Sequence, residues 1–228
     1  MKNSLISTFL FIAALIIILV GIYATRNLIY NNQNKALIMQ IKKINKSIEA
    51  FSAKYHALPG DTDKTISFGL SPYNSDGNMD NLITDIYNGY QMAQGEIVNF
   101  WMHLSNSQII NEKYDGMEKD LARTGSTFPE SAIGNAGIVA FSYIDKTYLQ
   151  IGYSYADSRR IYTKNNVLTP KESYLFDKKI DDGHPFKGQI IVVGGNELNY
   201  LQNSLCANNN EYNIQTSKPL CQLRIEIK

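Results

Sequence analysis

The sequence is poor in the residues from which metal sites and catalytic clusters are usually built. It contains three histidines and two cysteines in 228 residues. The histidines are scattered, and Cys206 and Cys221 lack the paired spacing of a zinc site. Basic and acidic residues nearly balance, with a net charge of +1, which argues against a general nucleic-acid-binding surface. We therefore expect no catalytic or metal site, no cofactor, no nucleic-acid partner and no enzymatic activity.

Charge is also missing from the start of the chain, where a long apolar run lies. No charged residue occurs between Asn3 and Thr25. A bilayer core needs roughly 20 apolar residues in a helix, so residues 1–26 are predicted to form a transmembrane helix. A cleaved secretory signal is the alternative, but its apolar region would be only roughly 7–15 residues long. Cleavage after Ala24 would also put Ile22 where a small residue is preferred. We expect a retained anchor.

Residues 27–58 continue the helix with one apolar face. Apolar residues recur at alternating steps of three and four, which is typical of an amphipathic helix. No proline interrupts the chain before Pro59, so one continuous helix from Met1 to Tyr55 is predicted, roughly 75 Å long. The alternative is an anchor and a separate helix joined near Asn27 to Asn34. The stripe, which we expect to pack on the head formed by residues 59–228, consists of Leu37, Ile41, Ile44, Ile48, Phe51 and Tyr55.

Three short motifs follow the helix. The first is ALPGD, where Pro59 stops the helix and Gly60 allows a turn. The second is E-x-x-x-FW-x-HL, in a helix predicted over Glu96–Ile110. The third is KIDDG-x-P, which ends a helix whose capping box is predicted from Thr169 and Glu172. The motif residues are Leu58, Pro59, Gly60, Asp61, Trp101, Asp181, Asp182, Gly183 and Pro185.

The long helix and these motifs together resemble type IV pilin-like proteins, especially the pseudopilins of type II secretion systems. The resemblance implies an α+β, pilin-like fold, with the long helix packed on a small antiparallel sheet. It implies a structural subunit, a pseudopilin or minor pilin, that crosses the bacterial inner membrane once and has its head in the periplasm. Its partners would be the inner membrane, other pilin-like subunits and the assembly platform. The alternative is a membrane-anchored periplasmic binding module with the same fold that does not polymerise.

The rest of the head is predicted to contain a sheet and a disulfide. Strands are predicted at 137–144, 147–154 and 188–195 and in the final QLRIEIK, with a turn at Asp145-Lys146. Alternation of Val139, Phe141 and Tyr143 indicates one buried face. The two cysteines near the C-terminus are typical of a loop-closing disulfide in an oxidising compartment, with buried reduced thiols as the alternative.

Two features conflict with the family pattern. By the positive-inside rule, the charges after the anchor favour a cytoplasmic head; they are Arg26, Lys35, Lys42, Lys43 and Lys46. The cysteine pair and the resemblance favour a periplasmic head, which we expect. In addition, Lys2 stands where the family has the last glycine of its leader, and Ser7 where it has a glutamate. We therefore expect an unprocessed N-terminus.

Two further stretches suggest chemistry. Asn74–Asn81 (NSDGNMDN) has oxygen-bearing side chains at alternate positions, as calcium loops do, but lacks the distal glutamate of an EF-hand. Calcium binding and a plain turn both remain open for it. His103 lies beside Trp101, and His184 lies beside paired aspartates that have no nucleophile or anion site near them in the sequence. We expect both histidines to be structural.

Overall fold

The computed structural model describes residues 2–68, 70, 76–84, 86–87, 90–91, 95–116, 123–133, 136–153, 166–193 and 205–227. Within these ranges the protein is α+β, as the sequence predicts. The elements in chain order are α1 (Lys2–Tyr55), β1 (Ile86–Tyr87), β2 (Tyr90–Gln91), α2 (Gly95–Asn106), β3 (Gly137–Tyr143), β4 (Lys146–Tyr153), α3 (Pro170–Ile180), β5 (Ile190–Val193), β6 (Ala207–Asn208), β7 (Glu211–Tyr212) and β8 (Gln222–Glu226).

Helix α1 is unbroken over 54 residues, so the alternative of two separate helices is wrong. Its segment Thr8–Thr25 has a mean hydropathy of 2.6, and none of it is buried against protein. A helix that is apolar on all sides and has no protein cover matches a membrane by length and composition. A signal sequence would have the same properties.

The second half of α1 buries one face. All six residues of the predicted stripe are at most 8% exposed. The ring of Phe51 stacks on His103 of α2 at a centroid distance of 6.1 Å, and Tyr55 contacts Phe68 at 4.9 Å. The stripe therefore belongs to the same hydrophobic core as α2 and the sheet.

A four-stranded antiparallel sheet, in the order β3-β4-β8-β5, forms the centre of the head. Paired residues project to the same side of an antiparallel sheet. One side is therefore aliphatic and consists of Ile138, Ala140, Leu149, Ile151, Leu223, Ile225, Ile190 and Val192. The other carries Val139 and Phe141 with the polar residues Gln150 and Arg224. Both sides are buried, whereas the sequence predicted one buried face.

The hairpin between β3 and β4 turns one residue earlier than predicted. The turn residues are Ile144 and Asp145, and Tyr143 pairs with Lys146. Both turn residues have positive φ, 45° and 60°, as a type I′ turn requires. Such a turn matches the twist of two antiparallel strands. The sequence prediction placed Ile144 in β3 because it continues the apolar run, and Ile-Asp lacks the asparagine and glycine typical of this turn.

The two head helices differ in how well their ends were predicted. Helix α2 ends at Asn106 rather than Ile110, and Gln108 beyond it has a φ of 59°. Helix α3 begins as predicted: Thr169 accepts from the Glu172 amide, and the Glu172 carboxylate accepts from the Thr169 amide. Strands β5 and β8 lie inside their predicted segments.

Cys206 and Cys221 form a disulfide, with their Cα atoms 5.1 Å apart. Cys206 precedes the small β6–β7 hairpin, and Cys221 immediately precedes β8. The Cys221 carbonyl also accepts from the amides of Val167 and Leu168 at 3.1 and 3.2 Å. The disulfide therefore joins the C-terminal hairpin to the start of β8, and the two hydrogen bonds join the segment before α3 to the same point.

Candidate functional site at the end of the long helix

Asp61, the last residue of the ALPGD motif, organises the segment after α1. Its side chain is fully buried, and its carboxylate accepts from the amides of Asp80 and Asn81 at 3.2 and 2.9 Å. Its own carbonyl accepts from the Met79 amide at 3.0 Å. Asp61 therefore helps to hold residues 76–84 against the end of α1. We call Asp61, residues 76–84, Glu96 and His103 the junction.

Gly60 brings the motif into contact with α2. Its amide donates to Nδ1 of His103 at 2.9 Å. Its φ is +92°, and a Cβ there would overlap the carbonyl oxygen of Glu96. A residue with a side chain would meet both a strained backbone and a clash, so only glycine fits.

His103 is hydrogen-bonded to a backbone group, as is typical of a structural histidine. Because Nδ1 accepts a hydrogen bond, the ring proton of the neutral form is on Nε2. The side chain is fully buried, and this burial lowers its pKa to about 4. The ring is therefore neutral at physiological pH, and its hydrogen bond is to a backbone amide rather than to a serine or cysteine that it could activate.

Glu96 is the second buried carboxylate of the junction. It lies at the start of α2, is 6% exposed and accepts from the amides of Asn78 and Thr84 at 3.2 and 2.9 Å. Burial raises its pKa to about 7, and burial also raises the pKa of Asp61. Asp61 and Glu96 thus clamp one segment through four backbone amides. This arrangement positions the segment against the ends of α1 and α2.

The stretch considered for calcium is only partly described, since residues 74 and 75 lie outside the described ranges. In its described part, Asn78 accepts from the Asp80 amide at 2.9 Å, and Asp80 accepts from the Leu82 amide at 2.8 Å. Asp76 accepts from the Thr65 hydroxyl. These oxygens are hydrogen-bonded within the turn and to Thr65, and the observation favours a plain turn.

The KIDDG-x-P motif forms the corner between α3 and β5. Asp181 accepts from the amides of Gln189 and Ile190 at 2.5 and 2.9 Å, and Asp182 accepts from the His184 amide at 2.7 Å. Gly183 has a φ of +75°, and the Pro185 carbonyl accepts from the Val192 amide. The paired aspartates therefore shape the corner through hydrogen bonds to three backbone amides.

Asp177 links this corner to the disulfide-bounded loop. It is fully buried and accepts from the Tyr212 hydroxyl at 2.6 Å and from the Gly183 amide at 3.2 Å. Burial raises its pKa to about 6. Carboxylate oxygens of Asp177, Asp181 and Asp182 lie within 4.8 Å of one another. Protein donors satisfy all three, so the cluster by itself is no evidence of a metal site.

A buried arginine is the main feature that the sequence analysis missed. Arg224 is fully buried in β8. Its Nε donates to Oε1 of Gln150, and the side-chain Nε2 of Gln150 donates to Oε1 of Gln222, each at 2.7 Å. Its guanidinium lies 5.1 Å from the centre of the Phe141 ring. The alternate polar residues of QLRIEIK signalled this polar side of the strand.

Trp101 connects the motifs to the core. It is 1% exposed, and its ring lies edge-on to Tyr114 at 5.9 Å. It shares α2 with the junction residues Glu96 and His103, whereas the KIDDG-x-P corner lies beyond α3 and has no described contact with them. No protein-family model matches the chain, and no curated protein or solved structure matches it either. The candidate site therefore rests on the contacts described above.

Proposed function

We propose that this protein is a structural, pilin-like subunit, a pseudopilin or minor pilin of a type II secretion or type IV pilus system. In this proposal α1 anchors the chain in the bacterial inner membrane with a single span, and the head is periplasmic. The subunit has a mechanical and positional role and catalyses no reaction.

The single observation that carries the proposal is that the two halves of the continuous helix α1 have different surroundings. One unbroken helix has an apolar, uncovered segment at Thr8–Thr25 and, further on, a stripe buried in the head. Cleavage of the apolar segment as a signal would cut the helix that continues into the core of the head. A helix that both crosses a membrane and forms the core of its head attaches that head rigidly to the membrane surface.

The junction and the disulfide support the same proposal. Hydrogen bonds fix the end of α1 to α2; they are made by Gly60, Asp61, Glu96 and His103. A force on the helix is therefore transmitted to the head. A disulfide persists in oxidising compartments and is rare in the bacterial cytosol. The bond between Cys206 and Cys221 therefore favours the periplasm, against the lysines that follow the anchor.

The membrane topology is tested with reporter fusions after Lys228. Alkaline phosphatase, which is active only outside the cytosol, should be active, and a β-galactosidase fusion should be inactive. The full chain should stay in the membrane pellet after carbonate extraction. Active β-galactosidase with inactive phosphatase would place the head in the cytosol and overturn the proposal.

Filament membership is tested separately, by shearing cells that overproduce the host's pilin-like subunits. We expect this chain in the sheared filament fraction together with those subunits. The alternative, an anchored periplasmic binding module that does not polymerise, is favoured by Ser7 at the position where the resembled family has a glutamate. A periplasmic head that never enters the sheared fraction would support that module instead.

A further inference from the structure

The tip of the β3–β4 hairpin carries an apolar residue in an unfavourable place. Ile144 is 72% exposed and has a φ of 45°. A β-branched residue at positive φ is a steric outlier, and the turn would be relaxed by asparagine or glycine. Exposure to water and backbone strain both disfavour isoleucine here, and such outliers concentrate at functional positions.

A groove with complementary properties lies on α1. It has a volume of about 420 Å³ and is lined mostly by apolar side chains from α1, α2 and the following loops. Pockets that hold small ligands measure roughly 300–1,000 Å³, so one branched side chain with its flanking backbone fits. The apolar lining includes Met39, Ile44, Trp101, Leu104, Tyr114 and Pro129.

The charges of the two features are opposite. Lys43 and Glu112 line the groove and pair with each other, and Lys42, Lys46 and Glu49 border a more open groove beside it. The lysines of the two linings therefore exceed the glutamates by one charge. At the tip, Lys146 is paired with Glu226 at 2.7 Å, so Asp145 gives the tip its negative charge. An acidic, apolar tip thus matches an apolar groove with a basic edge.

The tip cannot enter the groove of its own chain. Pro129 lines the groove, and its carbonyl accepts from the Ile138 amide at 3.0 Å, at the start of β3. The seven residues of β3 then run away from this point for roughly 20 Å before the tip is reached. The groove is therefore available to the tip of another molecule.

We propose that the hairpin tip Ile144-Asp145 of one copy inserts into the α1 groove of a second copy. Ile144 fills the apolar groove, and Asp145 pairs with the lysines at its edge. The exposed pair between Lys43 and Glu112, at 2.6 Å, is weak enough to rearrange around the incoming carboxylate. Because the two surfaces differ, the contact is heterologous, and it repeats from copy to copy in an open chain or a closed ring. The inference deepens, and for its setting in a filament rests on, the proposed function.

The test is oxidative cross-linking of the full chain in membranes, with cysteines at Met39 and Ile144. The two natural cysteines are bonded to each other, so they do not compete. The double variant M39C/I144C should give a ladder of dimers, trimers and longer multimers. Each single variant can give dimers at most, since a like-to-like bond ends the chain.

The matched control is M39C/I66C, because Ile66, Ile144 and Met39 are 79%, 72% and 71% exposed. A ladder no stronger than in this control overturns the proposal, as does cross-linking of I144C to a different protein without a ladder. Adding D145K to M39C/I144C should weaken the ladder at least several-fold at low salt. An unchanged ladder would refute the pairing of Asp145 with the lysines.

The outcome is separable from that of the proposed function. Presence in sheared filaments without a ladder would refute the contact and leave the subunit assignment intact. A ladder in a chain that never enters filaments would support the contact and refute the subunit assignment. The single variant I144G removes the tip's side chain and its strain. It should keep or raise the melting temperature while association between copies is lost, and lost folding would contradict the strain at this turn.

Discussion

Truncating the buried stripe of α1 should destabilise the head, and Ile48→Ala is the sharpest case. Ile48 is 2% exposed and lies between two other stripe residues, Ile44 and Phe51. Removing a buried isoleucine to alanine costs about 2–5 kcal/mol, through lost burial and the cavity left behind. For a chain of this size, about 3 kcal/mol corresponds to a fall of roughly 6–12 °C in melting temperature. The matched control is Glu49→Ala, an exposed neighbour on the same helix, which should change stability by less than about 0.5 kcal/mol.

The assay is thermal unfolding of the full chain in detergent, followed by the fluorescence of Trp101. This residue is the chain's one tryptophan and is buried beside the stripe in the head core. Its signal therefore reports the head rather than the membrane segment, whose helix persists in detergent. If Ile48→Ala unfolds at the wild-type temperature and loses only self-association, the stripe is an assembly surface, and its packing inside the head is refuted.

Three other perturbations follow from the described contacts. Removing the disulfide with C206A/C221A should lower the free energy of unfolding by about 3 kcal/mol, because the 15-residue loop is no longer closed in the unfolded chain. A reducing agent should destabilise the wild type and leave the stability of the variant unchanged. Glu96 has its pKa raised from 4.5 to about 7, so the unfolded chain releases this proton first and the contribution of Glu96 to stability should fall, by up to about 3 kcal/mol, as pH rises from 4.5 to 7. Because Asp177 and His103 also titrate in this range, the measured quantity is the stability of the wild type minus that of E96Q, which should fall over this range; a difference that does not change with pH would refute the assignment. Gln40 donates to the Glu130 carbonyl at 2.6 Å and accepts from the Ala132 amide at 2.8 Å, so Q40A should cost about 1–2 kcal/mol and speed hydrogen exchange at Ala132, whereas M39A beside it should leave that exchange unchanged.

Local patterns predicted the elements whose signals lie within a few residues. The stripe of α1 follows the helical period, and the capping box of α3 depends on residues only three apart. Pro59 marks the end of the long helix because it cannot continue one. The ends of α2 and the β3–β4 turn were predicted less well. At these places Gln108, Ile144 and Asp145 have positive φ although none of them is glycine. Tertiary packing decides where a non-glycine residue with positive φ is tolerated.

The candidate site divides in the same way. The motif residues Gly60, Asp61 and Trp101 were visible in the sequence, as was Glu96 at the start of E-x-x-x-FW-x-HL. The burial of Glu96 and of Arg224 was not predicted. Glu96 is far along the chain from the amides it holds and becomes a buried acceptor only after folding.

By itself, the sequence determined a long amphipathic helix with an apolar start, the elements of an α+β head and a pair of cysteines near the C-terminus. These follow from hydrophobic periodicity, helix capping and composition, which act between residues close in the chain. Only the tertiary structure decided that both sides of the sheet are buried, that Asp61 and Glu96 hold the same segment, and that the Ile144 tip is strained, exposed and far from the α1 groove. Each depends on which residues distant in sequence meet, and that is set by how the helices and the sheet pack together.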